Sequence, residues 1–196
     1  MRTSNDVRAV TEQLRLGIYW PRTDVVEPSV KRYRDRVAAR TALTQALANV
    51  DFPANHGAAP LCGKSWSLAH TNGVGVALLS PFPMVLGVDI VATARVSVRH
   101  LAAITSDVES ARISRVTEYP FALVWAIKEA ADKAIGIATK AAPKELVILR
   151  AQCQPDEFIV NVECLGLHLM GSWLTLGDYL IAWVYQFDAG SRRWPR

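Results

Sequence analysis

Cysteine is scarce in this chain, and its spacing argues against two common kinds of small protein. The 196 residues contain three cysteines, Cys62, Cys153 and Cys164, an odd number with no metal-ligand spacing. We therefore expect neither a disulfide scaffold nor a zinc module, and we interpret the thiols as reduced and structural. Residues 1–14 lack the apolar segment of a secretory signal, so we expect a cytoplasmic protein.

A long uninterrupted hydrophobic run is also missing. The nearest candidate, residues 73–94, is almost long enough to span a bilayer. Pro81, Pro83 and Asp89 interrupt it, and two buried strands joined by a proline-containing turn explain it better. The sequence therefore predicts a protein that does not enter the membrane.

Charge is neither abundant nor strongly one-sided. Charged residues make up 20% of the chain, the net charge is +4, and the hydrophobic content of 51% is enough for a proper core. This length fits one sizeable domain or two small halves. The mildly basic balance is compatible with nucleic acid, a phosphorylated ligand or an acidic protein partner, and composition does not choose between them.

Periodicity and turn signals predict an α+β fold. Helices are predicted at 28–50, with a buried stripe of Ala39, Leu43, Ala46, Leu47 and Val50, at 97–116 with breaks, and at 125–136. Strands are predicted at 15–20, 66–71, 74–80, 84–91, 145–149, 157–164 and 179–187. Asn72-Gly73 predicts a type I′ hairpin, and the last strand is apolar on both faces, which predicts a central position. The order suggests two similar halves.

Several polar residues stand out against this background. Asp89 lies in an apolar strand with Gly87 on the same face, which fits a metal or ligand as well as it fits a structural partner. Glu129 and Lys133 lie four residues apart on a helix, a spacing that is also typical of surface ion pairs. His70 lies beside a turn, where a histidine is usually incidental.

An arginine row on the first long helix has two interpretations. Arg32, Arg36 and Arg40 recur every four residues. Such rows are mostly solvated faces, but guanidinium groups also match phosphate in a bidentate manner.

Three motifs, in this order, resemble those of the 4′-phosphopantetheinyl transferase superfamily. They are Ser67-Leu68-Ala69-His70-Thr71, Gly87-Val88-Asp89-Ile90-Val91 and Trp125-x-x-Lys128-Glu129-Ala130-x-x-Lys133-Ala134-x-Gly136. Arg40-Thr41, after a basic helix, and the chain length resemble the surfactin-synthetase-activator type. The resemblance implies a pseudo-twofold arrangement of two similar halves, each a small antiparallel sheet packed with a long helix. The N-terminal half (1–84) would contact coenzyme A phosphates, and the C-terminal half (85–196) would carry the metal site and catalytic helix.

The resemblance also implies a reaction. The 4′-phosphopantetheine arm of coenzyme A is transferred to a serine hydroxyl of an apo acyl or peptidyl carrier protein, releasing adenosine 3′,5′-bisphosphate. Asp89 and Glu129 would hold Mg²⁺ or Mn²⁺, Glu129 would help deprotonate the serine, and Lys133 would stabilise charge on the phosphates. Lys128 would have a peripheral phosphate role or a structural one. Contacts to coenzyme A are implied for Arg40, Thr41, Lys64, His70 and Lys133.

The implied partners follow from the same resemblance. Carriers of fatty-acid, polyketide and nonribosomal-peptide synthesis all present such a serine beside acidic residues, and the net positive charge fits them without ranking them. A pseudo-dimer needs no second subunit, so we expect a monomer. We expect no nucleic-acid partner.

Three departures from the family pattern leave alternatives open. Val91 stands where many members of the larger type have a glutamate, and Ala69 stands where a serine often precedes the histidine. The segment around Lys64 is not a clean match to the Gly-Lys-Pro motif expected there. A family member that binds coenzyme A or a carrier without turnover is therefore an alternative, and a basic nucleic-acid binder is a third reading.

Overall fold

Two antiparallel β-sheets with their helices make up the part of the chain that the computed structural model describes. The described residues are 14–20, 28–48, 65–81, 84–95, 103–136, 142–153, 156–162 and 167–186. The predicted α+β class is confirmed. None of the helices formed by these residues is long and apolar enough to cross a membrane.

The smaller sheet comes from the first part of the chain. Its elements are β1 (Arg15–Tyr19), α1 (Pro28–Ala48), β2 (Ser65–Thr71) and β3 (Val74–Ser80). The strand order is β1-β3-β2, and all pairs are antiparallel. Asn72 and Gly73 both have positive φ, 50° and 80°. The predicted type I′ hairpin is therefore confirmed, because this turn requires positive φ at both central residues.

The larger sheet follows in the chain. Its elements are β4 (Val85–Ala92), α2 (Asp107–Ile113), α3 (Pro120–Ile135), β5 (Leu146–Cys153), β6 (Asp156–Val162), β7 (Leu167–Leu176) and β8 (Tyr179–Gln186). The strand order is β4-β8-β7-β6-β5. The prediction that β8 is central is confirmed, because it lies between β4 and β7. In each sheet, the first strand in the chain pairs with the last one.

Two predictions about the larger sheet were incomplete. Strand β7 was not predicted, although its alternating burial is regular. Helix α3 begins at Pro120, five residues before the predicted start, because proline suits the first helical position. It ends at Gly136, as predicted, with the glycine at φ 78°.

The buried face of α1 is narrower than predicted. Alanines at positions 38, 39, 42 and 46 are buried, whereas Leu43 is only half-buried. The side chain of Leu47 and all of Val50 lie outside the described residues. Because the buried face consists of alanine, α1 can lie close to the smaller sheet.

Strand alternation separates the core into layers. In β4, Leu86, Val88 and Ile90 face a cluster shared with β2 and β3 of the smaller sheet. The neighbouring residues of β4 face the opposite way, and Val91 packs with α3. A third cluster lies between α1 and the smaller sheet. The order of layers is therefore α1, smaller sheet, larger sheet and α3, which leaves the outer faces of α1 and α3 available for polar residues.

Serine hydroxyls join the two sheets. The Oγ of Ser65 accepts a hydrogen bond from Met84 N at 2.7 Å, and the Oγ of Ser67 accepts one from Val88 N at 3.1 Å. These amides lie on the edge of β4 that does not pair with β8. The small serines let β2 approach this edge and satisfy its buried donors.

Helix α2 covers the opposite edge of the larger sheet. The side chain of Glu109 accepts a hydrogen bond from Ile148 N at 2.8 Å, and Arg112 donates to the carbonyl of the same residue. Both backbone groups of Ile148 in β5 are therefore paired with α2. Edge strands are commonly protected in this way.

Each sheet touches its long helix at a glycine in its first strand. A Cβ on Gly17 would lie 2.2 Å from the carbonyl oxygen of Ala42 in α1. A Cβ on Gly87 would lie 2.0 Å from the carbonyl oxygen of Ala130 in α3. Gly17 and Gly87 are each the third residue of their strand. Both helices therefore pack at a distance that a side chain would prevent.

The contact at Gly87 predicts a large effect of a small substitution. Gly87→Ala should lower the free energy of unfolding by at least about 2 kcal/mol, because the added methyl meets helix backbone that cannot move independently. Urea denaturation of both proteins measures the difference. Thr175→Ala, on an exposed position of β7, is the control and should cost less than about 1 kcal/mol. An equal cost for the two variants would contradict the close packing.

Candidate active site

Helix α3 carries a polar cluster on the side away from its core face. Ala126, Ala130 and Ala131 are buried against the larger sheet. Glu129 is half-buried, and Lys133, one turn further, is exposed. This spacing places both side chains on the same side of the helix.

Asp89 from β4 meets this cluster. The Nζ of Lys133 donates to Asp89 Oδ1 at 2.6 Å and to the Val88 carbonyl at 3.2 Å. The sequence pattern placed Asp89 on the face of β4 opposite Leu86, Val88 and Ile90, and this alternation is observed. Burial raises the pKa of Asp89 above its ordinary value of 3.8, and the lysine ammonium only partly offsets that effect.

Glu129 is electrostatically coupled to the same pair. Burial raises the pKa of Glu129 above its ordinary value of 4.5, and the charge of Asp89 raises it further. Lys133 opposes this shift, whereas Asp132 adds to it. Asp89 from β4 and Glu129 from α3 are therefore close enough to interact electrostatically. The positive charge of Lys133 lowers the pKa of both acids.

His70 lies at the end of β2 and is close enough for its charge to affect the pKa of Asp89. Its Nδ1 is 3.8 Å from Asp35 Oδ2, and its side chain is 43% exposed. The other carboxylate oxygen of Asp35 accepts a hydrogen bond from Gly73 N at 2.6 Å. Asp35 thus connects α1 to the hairpin turn and to His70.

Sequence reasoning missed Asp35. It is a single acidic residue between Arg34 and Arg36 on an otherwise basic stretch of helix, and this isolation was the available signal. Asp35 is almost fully buried, unlike Arg36 and Arg40, which are exposed.

A cleft of about 300 Å³ opens beside Glu129. Its apolar wall is formed by Ile104, Trp125, Pro143 and Leu146, and its polar side is formed by Lys128, Glu129 and Asp132. The cleft therefore combines an apolar wall with three charged side chains.

The other predicted site residues are less closely connected to this cluster. Arg40 is exposed on α1, and the hydroxyl of Thr41 donates to the Val37 carbonyl at 2.9 Å within the helix. The described contacts join neither residue to Asp89 or Glu129. Lys64 lies outside the described residues.

Val91 and Lys128 are among the buried residues of the motifs. Val91 is only 8% exposed and packs in the core under α3, so the position gives no third carboxylate. Lys128 is buried and paired with Glu109 at 3.1 Å, which favours the structural role over the phosphate role.

Carboxylates are the candidate ligands for a divalent metal ion in this region. Among the described residues, no group of three or more His, Cys, Asp or Glu side chains is arranged to hold a metal. Asp89 and Glu129 offer two carboxylates, the hard oxygen ligands that Mg²⁺ prefers, and Mg²⁺ commonly takes its remaining ligands from water and substrate phosphates. The residues present therefore fit a site that is completed by the substrate.

Comparisons with known proteins give no independent assignment. No protein-family model matches the chain, and no curated protein matches it either.

The raised pKa of Glu129 predicts a stability gain when its charge is removed. A carboxylate whose pKa is raised on folding destabilises the native state wherever it is ionised. Glu129→Gln should therefore raise the free energy of unfolding at pH 7, by about 0.5–1 kcal/mol for a partly exposed group. The gain should disappear near pH 3, where the wild-type carboxyl is also neutral.

Denaturant unfolding at the two pH values checks this, with Glu118→Gln as the control on an exposed carboxylate. The control should change stability by less than about 0.5 kcal/mol at either pH. A loss of stability in Glu129→Gln at pH 7 would contradict the electrostatic description of the site.

Proposed function

We propose that this protein is a 4′-phosphopantetheinyl transferase, a holo-[acyl-carrier-protein] synthase. It transfers the phosphopantetheine arm of coenzyme A to a serine hydroxyl of an apo acyl or peptidyl carrier protein. The observation that carries this proposal is the 2.6 Å ion pair between Asp89 of β4 and Lys133 of α3, with Glu129 of α3 close enough for the charge of Asp89 to raise its pKa. These residues come from two of the three motifs, and His70 of the remaining motif is electrostatically coupled to Asp89.

The fold supports the same proposal. In each half, the first strand is followed by a long helix and then by further strands. The last of these strands pairs with the first strand. In each, a glycine at the third position of the first strand contacts the helix backbone. We therefore propose a pseudo-twofold relation between an N-terminal half, 1–84, and a C-terminal half, 85–196.

Asp89 and Glu129 are the proposed ligands of a Mg²⁺ or Mn²⁺ ion. When bound, the ion neutralises charge on the pyrophosphate of coenzyme A and orients it. Burial raises the pKa of Glu129, and the negative charge of Asp89 raises it further because the two carboxylates repel each other. This repulsion favours the uptake of positive charge at the site.

We propose that the Lys133 ammonium stabilises negative charge on the phosphates of coenzyme A. Its ammonium already bonds Asp89 and remains partly exposed, so it can contact the substrate without a change of backbone. A flexible ammonium is suited to charge that moves between oxygens during phosphoryl transfer.

The proposed step is an in-line displacement at phosphorus. The serine oxygen forms a bond to the phosphorus that bears the pantetheine arm, and the bond from that phosphorus to the bridging oxygen breaks. Adenosine 3′,5′-bisphosphate leaves with the electron pair. Glu129, directly or through a water molecule, accepts the serine proton.

The remaining assignments complete the proposal. His70, Arg40, Thr41 and Lys64 are proposed contacts to coenzyme A. The cleft beside Glu129 is the proposed route by which the acceptor serine and the pantetheine arm meet. We further propose a monomeric cytoplasmic enzyme that acts on carrier proteins of fatty-acid, polyketide or nonribosomal-peptide synthesis and has no nucleic-acid partner.

Carrier modification tests the proposal directly. The protein, coenzyme A and Mg²⁺ are incubated with a panel of apo carriers, and intact-mass spectrometry measures the gain of one phosphopantetheine group. Glu129→Gln and Asp89→Asn should each lower the rate by about 100-fold or more, because each removes a metal ligand and the first also removes a base. Glu118→Gln should retain the wild-type rate.

The same assay separates the binding-only alternative from the enzyme. Coenzyme A binding measured by calorimetry without a mass gain on any carrier would favour a binding protein and overturn the transferase. Equal rates for wild type and Glu129→Gln would overturn the assignment of the site.

The raised pKa values of the two carboxylates predict how the transfer rate falls as the pH is lowered. Both Asp89 and Glu129 must be ionised to bind the metal, and the pKa of each is raised. At Mg²⁺ concentrations too low to saturate the site, the pH dependence of the rate reflects the carboxyl pKa values of the metal-free protein. The rate should therefore be half-maximal above pH 4.5, the ordinary pKa of glutamate. Rates measured between pH 4 and 8 check this, and a half-maximal pH below 4.5 would contradict it.

A further inference from the structure

A buried ion pair joins the proposed catalytic helix, α3, to α2. Lys128 of α3 and Glu109 of α2 have side chains that are only 3% and 4% exposed, and Lys128 Nζ is 3.1 Å from Glu109 Oε1. Lys128 is adjacent in sequence to Glu129 and belongs to the same motif. Lys128 also lines the cleft beside Glu129, but its side chain is almost fully buried, so the pair lies within the wall of the site.

The ammonium of Lys128 is surrounded by acceptors of the protein. Besides Glu109, it donates to the Ile104 carbonyl at 2.5 Å and to the Pro143 carbonyl at 3.0 Å. An ammonium has three donors, and all three have partners here. Lys128 is thus fully engaged with protein groups, in contrast to Lys133, which is partly exposed.

Glu109 connects the pair to β5 and to the start of α2. One carboxylate oxygen accepts a hydrogen bond from Ile148 N in β5 at 2.8 Å. The other accepts one from Ser106 N at 3.0 Å, which completes the capping box at the start of α2. Burial alone would raise the pKa of Glu109, but these amides and Lys128 lower it below its ordinary value. The carboxylate is therefore held in its charged form.

The partners of the pair also form the cleft. Ile104 and Pro143, whose carbonyls bind Lys128, belong to the cleft wall beside Glu129. The pair thus fixes α3 to two segments that approach from different parts of the chain. A displacement of either segment would change the distance between the wall and the Glu129 carboxylate.

We propose that Lys128 is a positioning residue that acts through Glu109 to fix the orientation of Glu129 and the cleft wall, and that it does not bind phosphate. This inference rests on the proposed transferase function. It predicts that the two residues act as a unit, since removal of either partner leaves the other charge buried and alone.

A double-mutant cycle, measured as the rate of carrier modification, tests whether Lys128 and Glu109 act together. Lys128→Met and Glu109→Gln should each lower kcat by about 10–100-fold, the usual effect of partners that orient a catalytic ligand. The KM for coenzyme A should stay within about twofold in both. The double variant should be at least about tenfold more active than Lys128→Met, because no lone buried charge remains.

Two further variants control the chemistry. Lys128→Arg keeps the charge and should retain more activity than Lys128→Met. Lys144→Met removes a lysine that is exposed on the surface and should leave kcat and KM unchanged. Rates are expressed per folded molecule, from circular dichroism and size-exclusion chromatography, so that poor folding does not count as loss of catalysis.

The outcomes separate this inference from the function on which it rests. A rise in the KM for coenzyme A with unchanged kcat in Lys128→Met, and no effect of Glu109→Gln, would mean a phosphate ligand and would overturn the positioning role alone. Normal kcat per folded molecule in all variants would also overturn it. Absence of transfer by the wild-type protein would overturn the function and this role together.

A spectroscopic measurement gives a readout that is independent of turnover. A buried ammonium with three acceptors should give a slowly exchanging ¹H–¹⁵N signal, absent in Lys128→Met. Saturating coenzyme A should change its exchange rate by less than about twofold, because the surrounding acceptors stay in place. A signal that is lost or strongly shifted by coenzyme A would contradict the pairing described above.

Discussion

The close approach of α3 to β4 is the constraint on which the candidate site depends. Gly87 has no side chain, and Ala126 and Ala130 are small, so the helix backbone lies directly over the strand. Two residues further along β4, Asp89 faces the same helix. Lys133 can therefore reach Asp89 at 2.6 Å from an exposed position. Larger residues at the contact would separate the helix from the strand and the acids from each other.

The two charged pairs of α3 differ in their solvent exposure and in the direction of the pKa shift of the acid. Lys133 is partly exposed, whereas Asp89 is buried, and this burial raises the pKa of the acid despite the nearby ammonium. Glu109 and Lys128 are almost completely buried, and the acid is held ionised by backbone amides. One helix therefore carries one ion pair with a partly exposed lysine and one ion pair that is almost completely buried.

Local patterns predicted much of the fold but little of the long-range pairing. Asn72-Gly73 and the doubly apolar β8 correctly predicted a hairpin and a central strand, because turn chemistry and burial are encoded locally. The strand face of Asp89 followed from alternation alone. Glu109 and its partner are 19 residues apart, and no periodicity connects a helix cap to a buried lysine. The functional roles of Asp89, Glu129 and Lys133 stay predictions, since they came from a resemblance.

The serines of β2 have a consequence for the behaviour of the protein in a crowded solution. Ser65 and Ser67 occupy amides on one border of the larger sheet, and α2 occupies both backbone groups of Ile148 on the other. A foreign strand needs consecutive unpaired groups on such a border to extend a sheet. At these positions it would first have to displace side chains that are already bonded. At these positions, the chain's own side chains therefore hinder the addition of another strand.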